Sequence, residues 1–472
     1  MRFFRQLRLA AAGIVATLTL TVPEAVQAVP SYARQTGSEC AACHIGAYGP
    51  HLTPYGMRFK VGGYTDTGAD DNIHIPLSAQ AQLTHAEPET ARNPSMHGGD
   101  TRITEADAWL AGKLLPHVGA LIRVQHTHGG GSTSPPYTAL TDVDVRFAKE
   151  IKLELHPLTW GLTLNNHPGL TDPSDALPAW GFGGLGPGRD FATGTLTGTL
   201  LNHWQGGLAN RVLGLTGYGF FDEHWYAEIG SYRSLSMDAQ HRLGLPQYRP
   251  GETVGDPGRL SNTLYWRMSY LHDFKTQFFS VGLIGLSTRL QPLNVQLPSP
   301  EREGPSDGYK DLGVDAIYEY LGNRDHVLQL RANYIHEKRD YGSTPPNPFF
   351  PPQLSLPQGT VEEAAFSATY FFKNTWGITV AHTSSKVSDD PARFLPYGKS
   401  NTDFTFIGPM WTVWGKEDAT GPLGSNLQLG LVWVRFDKFN GSKTAIFGNS
   451  PFVTAADSKD LNQILLYAKL AI

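Results

Sequence analysis

The residues with the most definite chemistry are Cys40-Ala41-Ala42-Cys43-His44. Two thiols at this spacing lie one helical turn apart and suit addition to the two vinyl groups of a haem. The next residue, His44, then offers its imidazole to the iron as proximal ligand. Cys40 and Cys43 are the only 2 cysteines among 472 residues, which sharpens the signal. Three other uses of the motif fit less well. A disulfide between the two would close a very small loop and hold little together. A thioredoxin-type redox pair belongs to a βαβ setting, which is absent from this pattern. Zinc needs a fourth ligand beyond Cys40, Cys43 and His44, and there is no further cysteine to supply it.

The N-terminus agrees with haem attachment outside the cytoplasm. Arg2, Arg5 and Arg8 precede an apolar run from Leu9 to Val22, and Val26-Gln27-Ala28 follows as a small-residue cleavage site. Residues 1–28 therefore read as a signal peptide for Sec export, with cleavage before Val29. Beyond it no apolar run is long enough for a membrane-spanning helix. Hydrophobic residues make up 40%, aromatic residues 11% and charged residues 17%, with 51 glycines. That balance suits an exported β-barrel and also a soluble multidomain β protein. The net charge of −5 is mild and argues against a nucleic-acid partner.

The elements that would position the motif follow from the rest of the chain. Residues 29–73 form a haem-bearing segment too small to bury a core of its own. From residue 74 to 472 a period-two alternation of apolar and polar residues recurs. Ile75, Leu77, Ala79, Ala81 and Leu83 begin it, and Ile464, Leu466, Ala468, Leu470 and Ile472 end it. Stretches of about ten residues with one apolar and one polar face are the signature of a transmembrane barrel. Arg123, Arg146 and Arg331 fall on the polar face, where the pattern expects water. Tight links at Pro116-His117, Asp222-Glu223, Phe274-Lys275, Gly322 to Asp325 and Lys373 to Thr375 alternate with long polar loops. Reading 168–206 as one long loop, with no strand at 193–203, restores strict alternation. The expected fold is all-β: a 16-stranded antiparallel outer-membrane β-barrel with both chain ends on the periplasmic side and a small N-terminal haem c plug.

Pro30-Ser31-Tyr32-Ala33-Arg34-Gln35-Thr36-Gly37, the CxxCH motif, Leu52-Thr53-Pro54-Tyr55-Gly56 and Phe59-Lys60 together resemble the fused monohaem cytochrome–porins of the outer membrane. That family includes the iron-oxidising outer-membrane cytochromes of aerobic Fe(II)-oxidising bacteria. The resemblance covers about 35 residues of the chain, with only the architecture shared beyond them. It implies one covalent haem c inside a single-chain porin of the Gram-negative outer membrane. It further implies electron transfer between an extracellular donor, Fe(II) above all, and a periplasmic carrier such as a c-type cytochrome or a cupredoxin. Such a protein would act as an Fe(II):cytochrome c oxidoreductase. The other class is a diffusion porin whose haem plug is structural or sensory.

The distal position on the iron has two candidates, Met57 and His51. A thioether from Met57 would raise the potential, and the residue is equally at home as packing in the plug. His51 has only a short reach to the opposite face of the haem. Glu301, Glu303 and Asp307, or Asp389 with Asp390, present hard oxygens for Fe(II), though such clusters are more often a solvated loop surface. His126 and His128, ahead of a triple glycine, stand likewise.

Overall fold

The computed structural model describes residues 30–49, 51–68, 75–91, 99–127, 136–177, 198–203, 208–245, 258–291, 305–322, 324–342, 356–394, 396–414, 425–446, 448 and 456–472. The signal-peptide reading of 1–28 lies outside these residues.

Sixteen antiparallel strands close on themselves, each paired with its sequence neighbour and β1 with β16. The first eight are β1 (Leu77–Pro88), β2 (Asp100–Leu115), β3 (Val118–Thr127), β4 (Tyr137–Leu153), β5 (His156–Asn165), β6 (Val212–Phe221), β7 (Trp225–Ser234) and β8 (Arg259–Asp273). The second eight are β9 (Gln277–Gln291), β10 (Asp307–Tyr320), β11 (His326–Asp340), β12 (Gln358–Phe372), β13 (Trp376–Val387), β14 (Thr402–Thr412), β15 (Asn426–Lys438) and β16 (Gln463–Ala471). The register of the closing pair, with Gln80 opposite Ala471, puts the start of β1 beside the chain end, as expected.

Strand polarity decides which face meets lipid. Leu83, Val124, Leu162, Leu215, Ile229, Val281, Leu283, Val314, Ile378 and Leu466 point outward and are exposed. Aromatic rings gather at the short-turn rim, where Trp376 stacks on Trp411 at 5.1 Å and Trp225 lies 4.9 Å from Tyr270. The short turns are built for the twist of the strands. Asp222 and Glu223, and again Lys373 and Asn374, all have positive φ, the conformation of a type I′ hairpin. A closed barrel with an apolar belt and an aromatic girdle leaves no backbone group unpaired in hydrocarbon. It is a bilayer-spanning barrel of the bacterial outer membrane, with the short turns facing the periplasm.

Two features depart from expectation. The link 413–425 lies on the short-turn side yet has the length of an outer loop. The inward arginines are also covered more than a water-filled lumen would leave them. Arg146 is completely buried and Arg331 half-buried, because the N-terminal segment and residues 166–177 occupy the lumen around them. The long link after β5 contains no strand among its described residues; Leu200–His203 is a short helical turn instead.

Candidate haem c site

The N-terminal segment folds as three short helices, α1 (Pro30–Thr36), α2 (Cys40–Cys43) and α3 (Pro54–Val61). A unit this small cannot enclose its own apolar side chains, so the barrel wall supplies the rest of the core. Tyr32 stacks on Tyr64, and Phe59 meets both rings edge-on. The Tyr32 hydroxyl donates to the Ala120 carbonyl at 2.8 Å, and Tyr64 donates to Asp144 at 2.6 Å. The Arg146 guanidinium then lies between the Tyr64 and Tyr218 rings, 5.4 Å from each, while its Nε holds Asp144 at 2.7 Å. Tyr218 donates to the Val61 carbonyl at 2.6 Å. Charge-assisted and aromatic contacts of this kind fix the segment inside the lumen.

The motif itself sits at the short-turn mouth. Cys40 and Cys43 occupy one turn of α2, and His44 leaves it in an extended conformation with its N–H donated to the Cys40 carbonyl at 2.9 Å. Cys40 is fully buried and Cys43 half-buried. No disulfide joins them. Among the described residues no cluster of three His, Cys, Asp or Glu side chains converges on a metal-binding point.

Four barrel strands pin the residues after the motif. Thr412 donates to the Gly46 carbonyl at 3.3 Å, Asn426 to the Ala47 carbonyl at 2.7 Å, and Ile45 packs against Val327 and Phe371. The Asn426 amide also lies 3.7 Å from the Cys40 sulfur. On the other flank Thr53 works in two directions. Its hydroxyl donates to the Ala42 carbonyl at 2.5 Å and accepts the Gly56 N–H at 3.3 Å, so the start of α3 is tied to the motif. Gly56 has to be glycine here, because a Cβ would lie 2.3 Å from the Cys43 carbonyl oxygen.

These residues fit a c-type haem: two thiols on one helical turn and an imidazole on the next residue. Gly49 adds to the fit. It lies against the imidazole, where a Cβ would stand 3.4 Å from the His44 Cε1. Burial, with help from Asp66, pushes the Cys43 thiol up to about 12, so it is no ready thiolate for disulfide exchange.

The candidates for the distal position separate. Met57 is buried in an apolar cluster with Val61, Tyr218, Phe220, Tyr226, Leu271, Phe278 and Ile317, the wall of β6 to β10. Cys40 belongs to a different cluster, with Ala41 and Ala47. His51 lies close to the motif, its carbonyl accepting the Ile45 N–H at 3.0 Å. Arg331 Nη1 stands 3.0 Å from its Nδ1, and a guanidinium only donates, so Nδ1 is the acceptor and Nε2 carries the proton. Burial, the Arg331 charge and His44 together hold His51 well below the usual histidine range. Its Nδ1 is thereby taken by the Arg331 guanidinium.

The acidic candidates divide as well. Asp390 accepts the N–H groups of Leu356, Ala392 and Arg393 and pairs with the Arg393 guanidinium at 3.1 Å; Asp389 pairs with Lys399 at 3.7 Å. They staple a loop. Asp307 is buried at the head of β10, while Glu301 and Glu303 lie outside the described residues. His126 meets Thr138 at 2.8 Å, and His128 too lies outside.

Sequence reasoning missed the loop that roofs the plug. Residues 166–177 turn inward from β5 and meet charges from far along the chain. Lys60 donates to the Asp172 carbonyl at 2.7 Å and pairs with the Asp175 carboxylate at 3.0 Å. Arg267 bridges Asp172 at 2.9 Å and Asp315 at 2.7 Å, all of it dry. Arg146 donates to the Thr171 carbonyl at 2.7 Å and Asn333 to the Ala176 carbonyl at 3.0 Å. Higher still, the N–H groups of Thr199, Leu200 and Leu201 donate to Glu363, Glu337 and Asp311 on three adjacent strands. No sequence spacing announces these pairs, although inward-facing carboxylates on neighbouring strands were a visible hint.

No protein-family model matches the chain, and no curated protein does either. Solved structures with some likeness include outer-membrane proteins. The OmpT protein of Vibrio cholerae shares 9% identity at a TM-score of 0.41, over 84% of this chain and 97% of its own. The anion-selective porin of Comamonas acidovorans shares 11% at 0.40, over 84% and 98%. The channel DcaP of Acinetobacter baumannii shares 12% at 0.44, over 84% and 96%.

Proposed function

We propose that this barrel is an electron-transfer cytochrome of the outer membrane. In this reading Cys40 and Cys43 hold one haem c covalently and His44 binds its iron. The haem supplies reversible one-electron chemistry, and the chain's own residues supply position and enclosure. The donor is extracellular, with Fe(II) the best candidate, and the acceptor is a c-type cytochrome or cupredoxin in the periplasm.

The observation that carries the reading is the placement of the CxxCH motif. It stands at the periplasmic mouth, within reach of a soluble carrier, and is pinned by Thr412, Asn426 and Phe371 of the wall. The packing above it counts against the diffusion-porin alternative. Lys60, Arg146, Arg267 and Arg331 bind residues 171–175 across the lumen, which leaves charged groups dry where a porin keeps water.

Proteoliposomes test the choice. External Fe(II) should reduce the haem of the reconstituted protein, while small sugars should cause no swelling. Rapid swelling with no reduction would favour the porin.

A further inference from the structure

We propose that Arg331 is the residue through which the barrel sets the reduction potential of the haem iron; the role rests on the reading of Cys40, Cys43 and His44 as the haem site. Arg331 stands on β11 and reaches into the lumen. Its Nη1 donates to His51 Nδ1 at 3.0 Å, and its Nη2 donates to the carbonyls of Ser174, at 2.9 Å, and Asp175. All three acceptors are uncharged. Among the described residues the guanidinium forms no ion pair.

The acids around it are committed elsewhere. The Asp175 carboxylate takes Lys60 at 3.0 Å, and Asp172 and Asp315 take Arg267. Glu319, on the adjacent strand, takes the Gln329 amide at 2.7 Å through one oxygen and makes no direct contact with Arg331 through the other. A permanent cation is thus held in a poorly solvated place with its charge unneutralised by direct contact. Its link to the iron ligand is short. His51 is hydrogen-bonded through its carbonyl to Ile45, the residue after His44, and His44 pairs with Leu52 as an isolated bridge.

A fixed positive charge disfavours the oxidised, more positive iron and so raises the potential. The same contact holds His51 as a neutral acceptor and keeps it from binding the iron. Arg331 is therefore a positioning and electrostatic residue, contributed to the N-terminal segment by a strand 280 residues from His51 in sequence.

The test is a spectroelectrochemical titration of the purified full-length protein beside Arg331→Gln and Arg331→Lys, with covalent haem checked by staining. Arg331→Gln should keep its haem and shift the reduction equilibrium at least tenfold toward the oxidised form, about 59 mV downward for one electron. Arg331→Lys keeps the charge but not the fork and should stay near wild type. Should Arg331→Gln fail to fold, Arg331→Met, of similar length, should show the same downward shift. An unchanged potential in Arg331→Gln or Arg331→Met overturns the proposal. An equal fall in Arg331→Lys also overturns it, since geometry and not charge would then be the lever. Wild-type protein without covalent haem would overturn the haem reading itself, a separate outcome visible before any titration.

Discussion

Gly46, two residues beyond His44, couples the motif to the barrel wall, and replacing it should loosen the plug from one end. Its φ is +75°, and a Cβ there would meet the Phe371 ring at 2.1, 2.2 and 2.4 Å. Phe371 is itself buried against Ile45 and Val327, so the ring has little room to retreat. Gly46→Ala therefore carries two costs, about 1–2 kcal/mol for a left-handed alanine and about 1–3 kcal/mol for overpacking. The sum, about 2–5 kcal/mol, corresponds to roughly 30- to 4,000-fold faster local opening. Gly37→Ala is the control: φ is +63° but nothing lies within 4 Å of the new Cβ, so only the strain of about 1–2 kcal/mol applies. Hydrogen exchange over residues 38–49, read by mass spectrometry, measures the difference. In a Phe371→Ala background the steric part should vanish, and Gly46→Ala should then cost no more than Gly37→Ala. Equal exchange for the two glycine variants in the wild-type background would refute the claim that the wall clamps the motif at Gly46.

Two more predictions concern the lumen and the thiols. Arg267→Met strands the Asp172 and Asp315 carboxylates and should weaken closure of residues 166–177 by about 3–5 kcal/mol, measured as new protease sensitivity in that segment with the barrel intact. In haem-free protein the raised Cys43 thiol, at about 12, leaves roughly one part in ten thousand as thiolate at pH 8, so alkylation should be far slower in the folded than in the unfolded chain.

Much of this architecture was legible in the chain, for identifiable reasons. A barrel wall is a local pattern: each strand must alternate faces, and each hairpin turn must be short on one side. Phe274-Lys275 and Lys373 to Thr375 therefore betrayed the topology without any knowledge of long-range pairing. Parity alone excludes a strand at 193–203; its described part contains the helical turn Leu200–His203, while 193–197 lie outside the described residues. The motif was legible because Cys40, Cys43 and His44 are adjacent. What lay hidden depends on partners far apart in sequence. Arg146 reads as a water-facing residue until Tyr64 and Thr171 are known to cover it. Asp172 reads as a loop acid until Arg267 is brought to it. His51 reads as a free imidazole until Arg331 fills its Nδ1. Asp389 and Asp390 show the converse, an apparent cation site that Lys399 and Arg393 use up as loop contacts.

The central claim is that Cys40, Cys43 and His44 carry a haem inside this barrel. Its most direct measurement is the covalent haem content of the polypeptide, purified from outer membranes and run on a denaturing gel with haem staining and a pyridine haemochrome assay. One haem per chain is expected, with the stain lost in Cys43→Ala while that variant still migrates as a heat-modifiable barrel. A wild-type chain free of covalent haem, or a stain undiminished by Cys43→Ala, would contradict it.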